Sequence, residues 1–229
     1  MSSFPDDVRL GVPGANQRVF FDDHAAARAY DRAIVDAGAL GVQIVEIDMA
    51  PFYETARLLY EGPWVAERTI VVRRLLDSSP DSIHPVTRQI IAQGARQSAM
   101  DVFLALYRLE EMRRASEAVF RTVDALLLPT IPTVYTVERV LADPIKLNNG
   151  LGIYTNFVNL LDLCALALPS SMRDDGLPFG VTFIAPAGRD TYLASIGRAF
   201  HANSKLPLGA LGIALPQLDS PAKGETALR

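Results

Sequence analysis

Cysteine, lysine, histidine and tryptophan are all scarce in this sequence of 229 residues. The one thiol, Cys164, closes no internal disulfide. His24, His84 and His201 stand far apart without a second ligand at helical or hairpin spacing, so no metal is expected. With only Lys146, Lys205 and Lys223, arginine carries the basic charge, and 22 basic against 26 acidic residues leave a net charge of −4. That balance offers no overall attraction to phosphate backbones or anionic lipid, so neither nucleic acid nor a membrane is expected as a partner. Long apolar runs are missing too: segments 125–128 and 165–168 are far too short to span a bilayer. Residues 1–9 show no basic flank leading into an apolar stretch, so no secretory signal is visible and a cytoplasmic protein is expected. The chain also has no Gly-x-Ser-x-Gly nucleophile turn and no phosphate-cradling Gly-rich loop.

What is present is a foldable chain. The AVILMFWYC set makes up 49% and charged residues 21%, too apolar and too weakly charged for a disordered polypeptide. The length fits one sizeable domain, or one with an appendage. Segment 9–12 reads as a strand, Asp22 and Asp23 as caps of a helix to about Ala37, and 42–47 as the next strand. Strand, helix and strand in about forty residues form a βαβ unit with parallel strands. Pro51 suits the first turn of a helix carrying Phe52, Ala56 and Leu59. The Gly62 and Pro63 pair ends it, and a second helix carries Trp64, Arg68, Val71 and Leu75.

From about Val86 the pattern is helical, with Val102, Leu106, Leu109, Val119 and Val123 on one face. Segment 125–128 reads as a buried strand closed by Pro129 and Pro132, followed by a mostly polar connection to Gly150. A helix over 154–163 and a short buried strand over 165–168 follow. Asp174, Asp175 and Gly176 turn the chain into a β stretch over 179–185, completing a hairpin. Asp190 caps a last helix carrying Leu193, Ile196 and Phe200 inward. The expected fold class is α/β, a mixed sheet flanked by helices, over residues 1–206, with 207–229 a loosely ordered tail.

Three groups of side chains invite a chemical reading. Cys164 beside His84 would make a nucleophile, but the apolar surroundings of 160–168 favour a buried, inert thiol. Tyr60 and Arg68 lie eight residues apart across a helix break, where a phenol and a guanidinium can converge to hold a small carboxylate through charge-assisted hydrogen bonds. The plainer reading is a surface ion pair for Arg68 after Glu67, and a rim tyrosine beside Trp64. Tyr154, Thr155, Asn156 and Asn159 are polar groups among apolar ones that either line a pocket floor or are satisfied core polars, the second being the plainer.

The segments 45–52 (VEIDMAPF), 54–69 (ETARLLYEGPWVAERT), 84–88 (HPVTR), 151–163 (LGIYTNFVNLLDL) and 176–186 (GLPFGVTFIAP) together resemble the C-terminal portion of the amidase signature family. The last two carry the broader family's pattern. Segment 54–69 is the specific one, and it resembles the allophanate hydrolases within that family. The resemblance implies hydrolysis of allophanate to ammonia and carbon dioxide in urea or cyanuric acid degradation, with no metal or organic cofactor. It also implies that Tyr60 and Arg68 match positions contacting the substrate carboxylate. Enzymes of the family use a nucleophilic serine, a second serine and a lysine base in a Gly- and Ser-rich run upstream of the part that this sequence resembles. Here all three lysines lie downstream, and Ser2–Ser3, Ser78–Ser79 and Ser170–Ser171 lack flanking glycines, so no catalytic residue carries over. The expectation is therefore a distal part of such a domain: it recognises the carboxylate through Tyr60 and Arg68 but does not turn substrate over. It would pair with a complementing N-terminal half or self-associate. The alternative is a non-catalytic small-carboxylate-binding or subunit-interaction module.

Overall fold

The computed structural model describes residues 4–206. The expected tail, 207–229, lies outside the described residues. Strand β1 (Arg9–Pro13), helix α1 (His24–Gly38) and strand β2 (Gln43–Ile47) form the anticipated parallel βαβ unit, with Val12 opposite Glu46. Asp23 caps α1 by accepting from the Ala26 amide at 2.9 Å, and Ala26, Ala29, Tyr30, Ala33 and Ala37 form its buried stripe.

Helix α2 (Ala50–Glu61) opens with Pro51 in its first turn and stops at Gly62. Helix α3 (Trp64–Ser78) begins one residue after Pro63. It packs inward through Val65, which is buried, and through Thr69, whose hydroxyl donates to Ile91 O, while Val71 is 81% exposed. The helical stretch after Val86 is also interrupted. Helix α4 (Pro85–Ala92) ends in a tight turn, and α5 (Ala99–Phe120) starts afresh from a capping box of Ser98 and Asp101. Along α5 the buried line runs through Ala105, Leu109, Met112 and Ser116, and the expected core residue Leu106 is 47% exposed. Leu109 and Val123 are buried as expected, and Ala105, Met112 and Ser116 complete the inward line in place of Leu106.

Strand β3 (Ala125–Pro129) is buried along its whole length, which explains its unbroken apolar run. Two short helices, α6 (Val137–Ala142) and α7 (Pro144–Leu151), occupy what read as a polar connection, because Thr136 caps one and Pro144 opens the other. The helix expected over 154–163 shrinks to α8 (Phe157–Leu160), since Leu163 already belongs to a strand. That strand, β4 (Leu163–Met172), is ten residues long and lies at an edge. Its Ala165, Ala167 and Pro169 are exposed, correcting the expectation of a short buried strand. Strand β5 (Pro178–Pro186) completes the expected hairpin, pairing antiparallel with both β4 and β3. Helix α9 (Asp190–Ser204) buries Leu193, Ile196 and Phe200, but Arg189 occupies the cap position and Asp190 falls in the first turn.

The sheet order is β2-β1-β3-β5-β4. One face packs against α1 and α9 through Leu10, Leu127, Phe183 and Phe200. The other packs against α2, α5 and α8 through Leu126, Ile184, Phe52 and Phe157. Because β1, β2 and β3 run parallel, their carboxyl ends share one side of the molecule, where open α/β sheets gather their binding loops. No helix among the described residues is long and apolar enough to cross a membrane.

Candidate functional site

Two phenols anchor the loop after β1, and a third ties α1 to β3. Tyr53 on α2 donates to Gln17 O at 2.8 Å, and Tyr154 donates to Val19 O while accepting from Val19 N at 2.7 Å. Tyr30 on α1 donates to Leu127 O at 2.6 Å. Burial, above all, pushes all three hydroxyls above the ordinary phenol range, so they serve as neutral anchors. The Gln17 side chain joins this loop to the start of α2, donating to Asp48 at 2.6 Å and accepting from Met49 N at 2.9 Å.

With its loop held in this way, α2 forms one wall of a cavity of about 220 Å³, lined by Tyr53, Arg57, Tyr60 and Glu61. The segment from α7 to α8 forms the other, with Asn149, Gly150, Ile153 and Asn156. Tyr60 is half-buried there. At the foot of α2 the Gly62 amide donates to Leu58 O at 2.8 Å. A Cβ on Gly62 would lie 2.5 Å from that same oxygen and 2.9 Å from the Trp64 ring, so only glycine allows the chain to turn so tightly into α3. The turn brings Arg68 back over Tyr60: the guanidinium carbon lies 5.9 Å from the centre of the phenol ring, within cation–π range.

The two residues singled out from the sequence therefore meet. They do so unequally, because Tyr60 lines the cavity whereas the exposed Arg68 stacks on the Tyr60 ring without lining it. Among the described residues no carboxylate lies within ion-pair distance of Arg68, in contrast to Arg108, which is paired with Glu54 and Glu111. The polar cluster at 154–159 divides: Tyr154 is a satisfied core group, Asn156 faces the cavity, and Asn159 is exposed. Arg57 on the α2 wall and Asn149 on the opposite one also line the cavity and were missed. Arg57 follows Tyr53 by four and precedes Tyr60 by three, a helical spacing that marks one face once Tyr60 is suspected. Asn149 sat in a stretch read as loop, and no sequence signal pointed to it.

Cys164 does not reach His84. Its thiol lies on edge strand β4 and donates to Pro186 O at 3.3 Å. Asp175 does more than turn the chain. It accepts from Arg173 at 2.6 Å, and Arg173 also reaches Asp23 at 3.0 Å with only 5% of its side chain exposed. A further cavity of about 390 Å³ beside this cluster is lined mainly by apolar groups such as Ile131, Leu168 and Phe179.

The sequence pattern of the family described as Amidase matches residues 1–193. The chain belongs to the amidase family. Urea amidolyase of Saccharomyces cerevisiae is 38% identical over 205 residues, which cover 89% of this chain and 11% of that protein. Allophanate hydrolase of Kluyveromyces lactis superposes with a TM-score of 0.84 at 32% identity, over 89% of this chain and 33% of that one. The urea amidolyase of the same yeast superposes with a TM-score of 0.88 at 31% identity, over 97% of this chain and 14% of that one. This amidase-family chain thus spans about a tenth of the curated relative it matches and a third of the allophanate hydrolase structure. Its mixed five-stranded sheet and flanking helices are those of part of an amidase domain, and the relatives it matches are larger chains.

Proposed function

We propose that this chain is the substrate-carboxylate-recognising part of an allophanate hydrolase-type amidohydrolase, acting on allophanate in urea or cyanuric acid degradation. The observation that carries the proposal is the meeting of Tyr60 and Arg68 at the rim of a cavity that also holds Arg57 and two carboxamides. Two guanidiniums without an ion-pair partner among the described residues at one rim attract a small carboxylate, and a phenol hydroxyl donates a hydrogen bond to it. The similarity to urea amidolyase and allophanate hydrolase supports the same substrate class.

Catalysis requires groups outside this chain. Among the described residues, neither Lys146 nor Lys205 lines the cavity, and no serine does, while Lys223 lies outside the described residues. A complementing N-terminal half would supply nucleophile and base, and edge strand β4 with the exposed apolar side chains of Ile70, Val71, Phe103 and Leu104 offers surface for such a partner or for a second copy. A cytoplasmic setting fits a urea-degrading role.

Titration with malonate, a stable small dicarboxylate, tests the site. The chain is expected to bind malonate, and Arg68→Ala is expected to weaken binding by about 10- to 100-fold, the range for a charge-assisted hydrogen bond. Equal binding by wild type and variant would remove the proposal. Ammonia release from allophanate by purified 1–229 should not exceed a buffer blank, and release above it would show that the chain carries its own nucleophile.

A further inference from the structure

Asn156 is half-buried, lines the cavity, and makes no side-chain hydrogen bond to any other described residue. Its amide lies flat over the bare backbone of Gly152. A Cβ there would sit 2.2 Å from Oδ1, 2.4 Å from Nδ2 and 2.5 Å from Cγ. Gly152 has φ −91°, ψ 6°, a conformation open to other residues, so the space for the Asn156 amide is what requires glycine. The main chain beneath is firm, because Gly152 O accepts from both Thr155 N at 2.9 Å and Asn156 N at 2.8 Å. The result is a carboxamide packed over Gly152 with no partner for its donor or its acceptor among the described residues, beside Asn149, whose carboxamide is equally without a described partner.

A primary carboxamide offers a carbonyl acceptor and N–H donors, so it pairs reciprocally with another amide. A carboxylate offers acceptors alone and leaves the Asn156 oxygen facing another oxygen. The Glu61 carboxylate on the same cavity adds to that preference, accepting from N–H groups and repelling a second anion. Arg57 and Arg68 at the rim answer the first anion.

We infer that Asn156, seated on Gly152, is the specificity-determining residue that selects a ligand with one carboxylate and one amide or ureido end over a dicarboxylate. The inference rests on the carboxylate-binding reading of the cavity and adds to it the recognition of the opposite end of the ligand.

Calorimetric titration of chain 1–229 with malonamate, the monoamide of malonic acid, and with malonate tests it. Wild type is expected to prefer malonamate. Asn156→Ala should weaken malonamate by about 5- to 150-fold, the range for a pair of neutral hydrogen bonds, and leave malonate nearly unchanged. Its melting temperature should match wild type, because the side chain bonds to nothing in the fold. Gly152→Ala should reproduce the loss by displacing Asn156 without touching the ligand. Arg68→Ala should weaken both ligands together. If Arg68→Ala behaves so but Asn156→Ala changes neither ligand, or both equally, the amide-selecting role is wrong and carboxylate recognition stands. If wild type binds neither ligand, both readings are wrong.

Discussion

Arg173→Ala is expected to destabilise the chain by about 3–5 kcal/mol, the range for removing one member of a buried ion pair. Arg173 and Asp23 have 5% and 12% of their side chains exposed, and they lie 150 residues apart in sequence. Asp23 caps α1, accepts from the Thr133 hydroxyl at 2.9 Å and receives the guanidinium of Arg173, so one carboxylate ties α1 to the segment after β3 and to the β4–β5 hairpin. Removing the arginine leaves that carboxylate buried among polar groups that no longer balance its charge. Urea unfolding of both proteins at pH 7 measures the difference, and a loss under about 1 kcal/mol would mean that the pair is worth no more than an exposed one. Asp23→Ala combined with Arg173→Ala should cost less than the sum of the single losses, because the second change no longer strands a charge.

The same carboxylate makes stability depend on pH. Burial works against ionisation of Asp23, but the Ala26 amide, the Thr133 hydroxyl and Arg173 outweigh it and hold its carboxyl below the ordinary range. A folded-state value below the unfolded one means that the unfolded chain binds the proton more readily. The contribution is therefore complete above about pH 4, the ordinary aspartate value, and is lost as pH falls through the lower folded value. Arg173→Ala should flatten this acid limb, since it removes one of the groups holding Asp23 ionised.

Phe52→Ala carries the other large expected effect, again about 3–5 kcal/mol, from lost burial and the cavity left behind. The Phe52 ring is fully buried, 5.0 Å from Phe157 and 6.1 Å from Phe120 between ring centres, so it joins α2 to α8 and to the end of α5. Because α2 also presents Tyr53, Arg57 and Tyr60 to the cavity, loosening it should weaken malonate binding as well as folding. Thermal unfolding followed by near-ultraviolet dichroism measures the first effect, and titration well below the variant's transition measures the second. Full malonate affinity in a destabilised Phe52→Ala would show that the cavity wall does not depend on this packing.

Much of the fold was legible because its signals are local. Asp23 before an alanine-rich stripe, Pro51 in a first turn and Asp174 to Gly176 between two apolar runs each act over a few residues. The errors share another cause. Polar residues between Pro132 and Gly150 read as loop although Thr136 and Pro144 start helices, since short helices carry too few turns for periodicity to stand out. Strand β4 read as a short buried run because alanine at 165 and 167 is apolar yet sits on the exposed side of an edge strand. On α5 the aliphatic pattern found Leu109 but also took in Leu106, whereas the small Ala105 and Ser116 share the buried side.

The sequence by itself determined the α/β alternation, the break at Gly62 and Pro63 that lets Arg68 return over Tyr60, and the family to which the chain belongs. These depend on neighbours within a turn or two, or on a pattern of residues read in order. Only the tertiary structure decided the strand order β2-β1-β3-β5-β4, the joining of Asp23 to Arg173, and the meeting of Arg57 and Tyr60 with Asn149 and Asn156 across one cavity. Those contacts join segments some 90 to 150 residues apart, and they form because both faces of a central apolar strand must be covered, a requirement that no local stretch of sequence expresses.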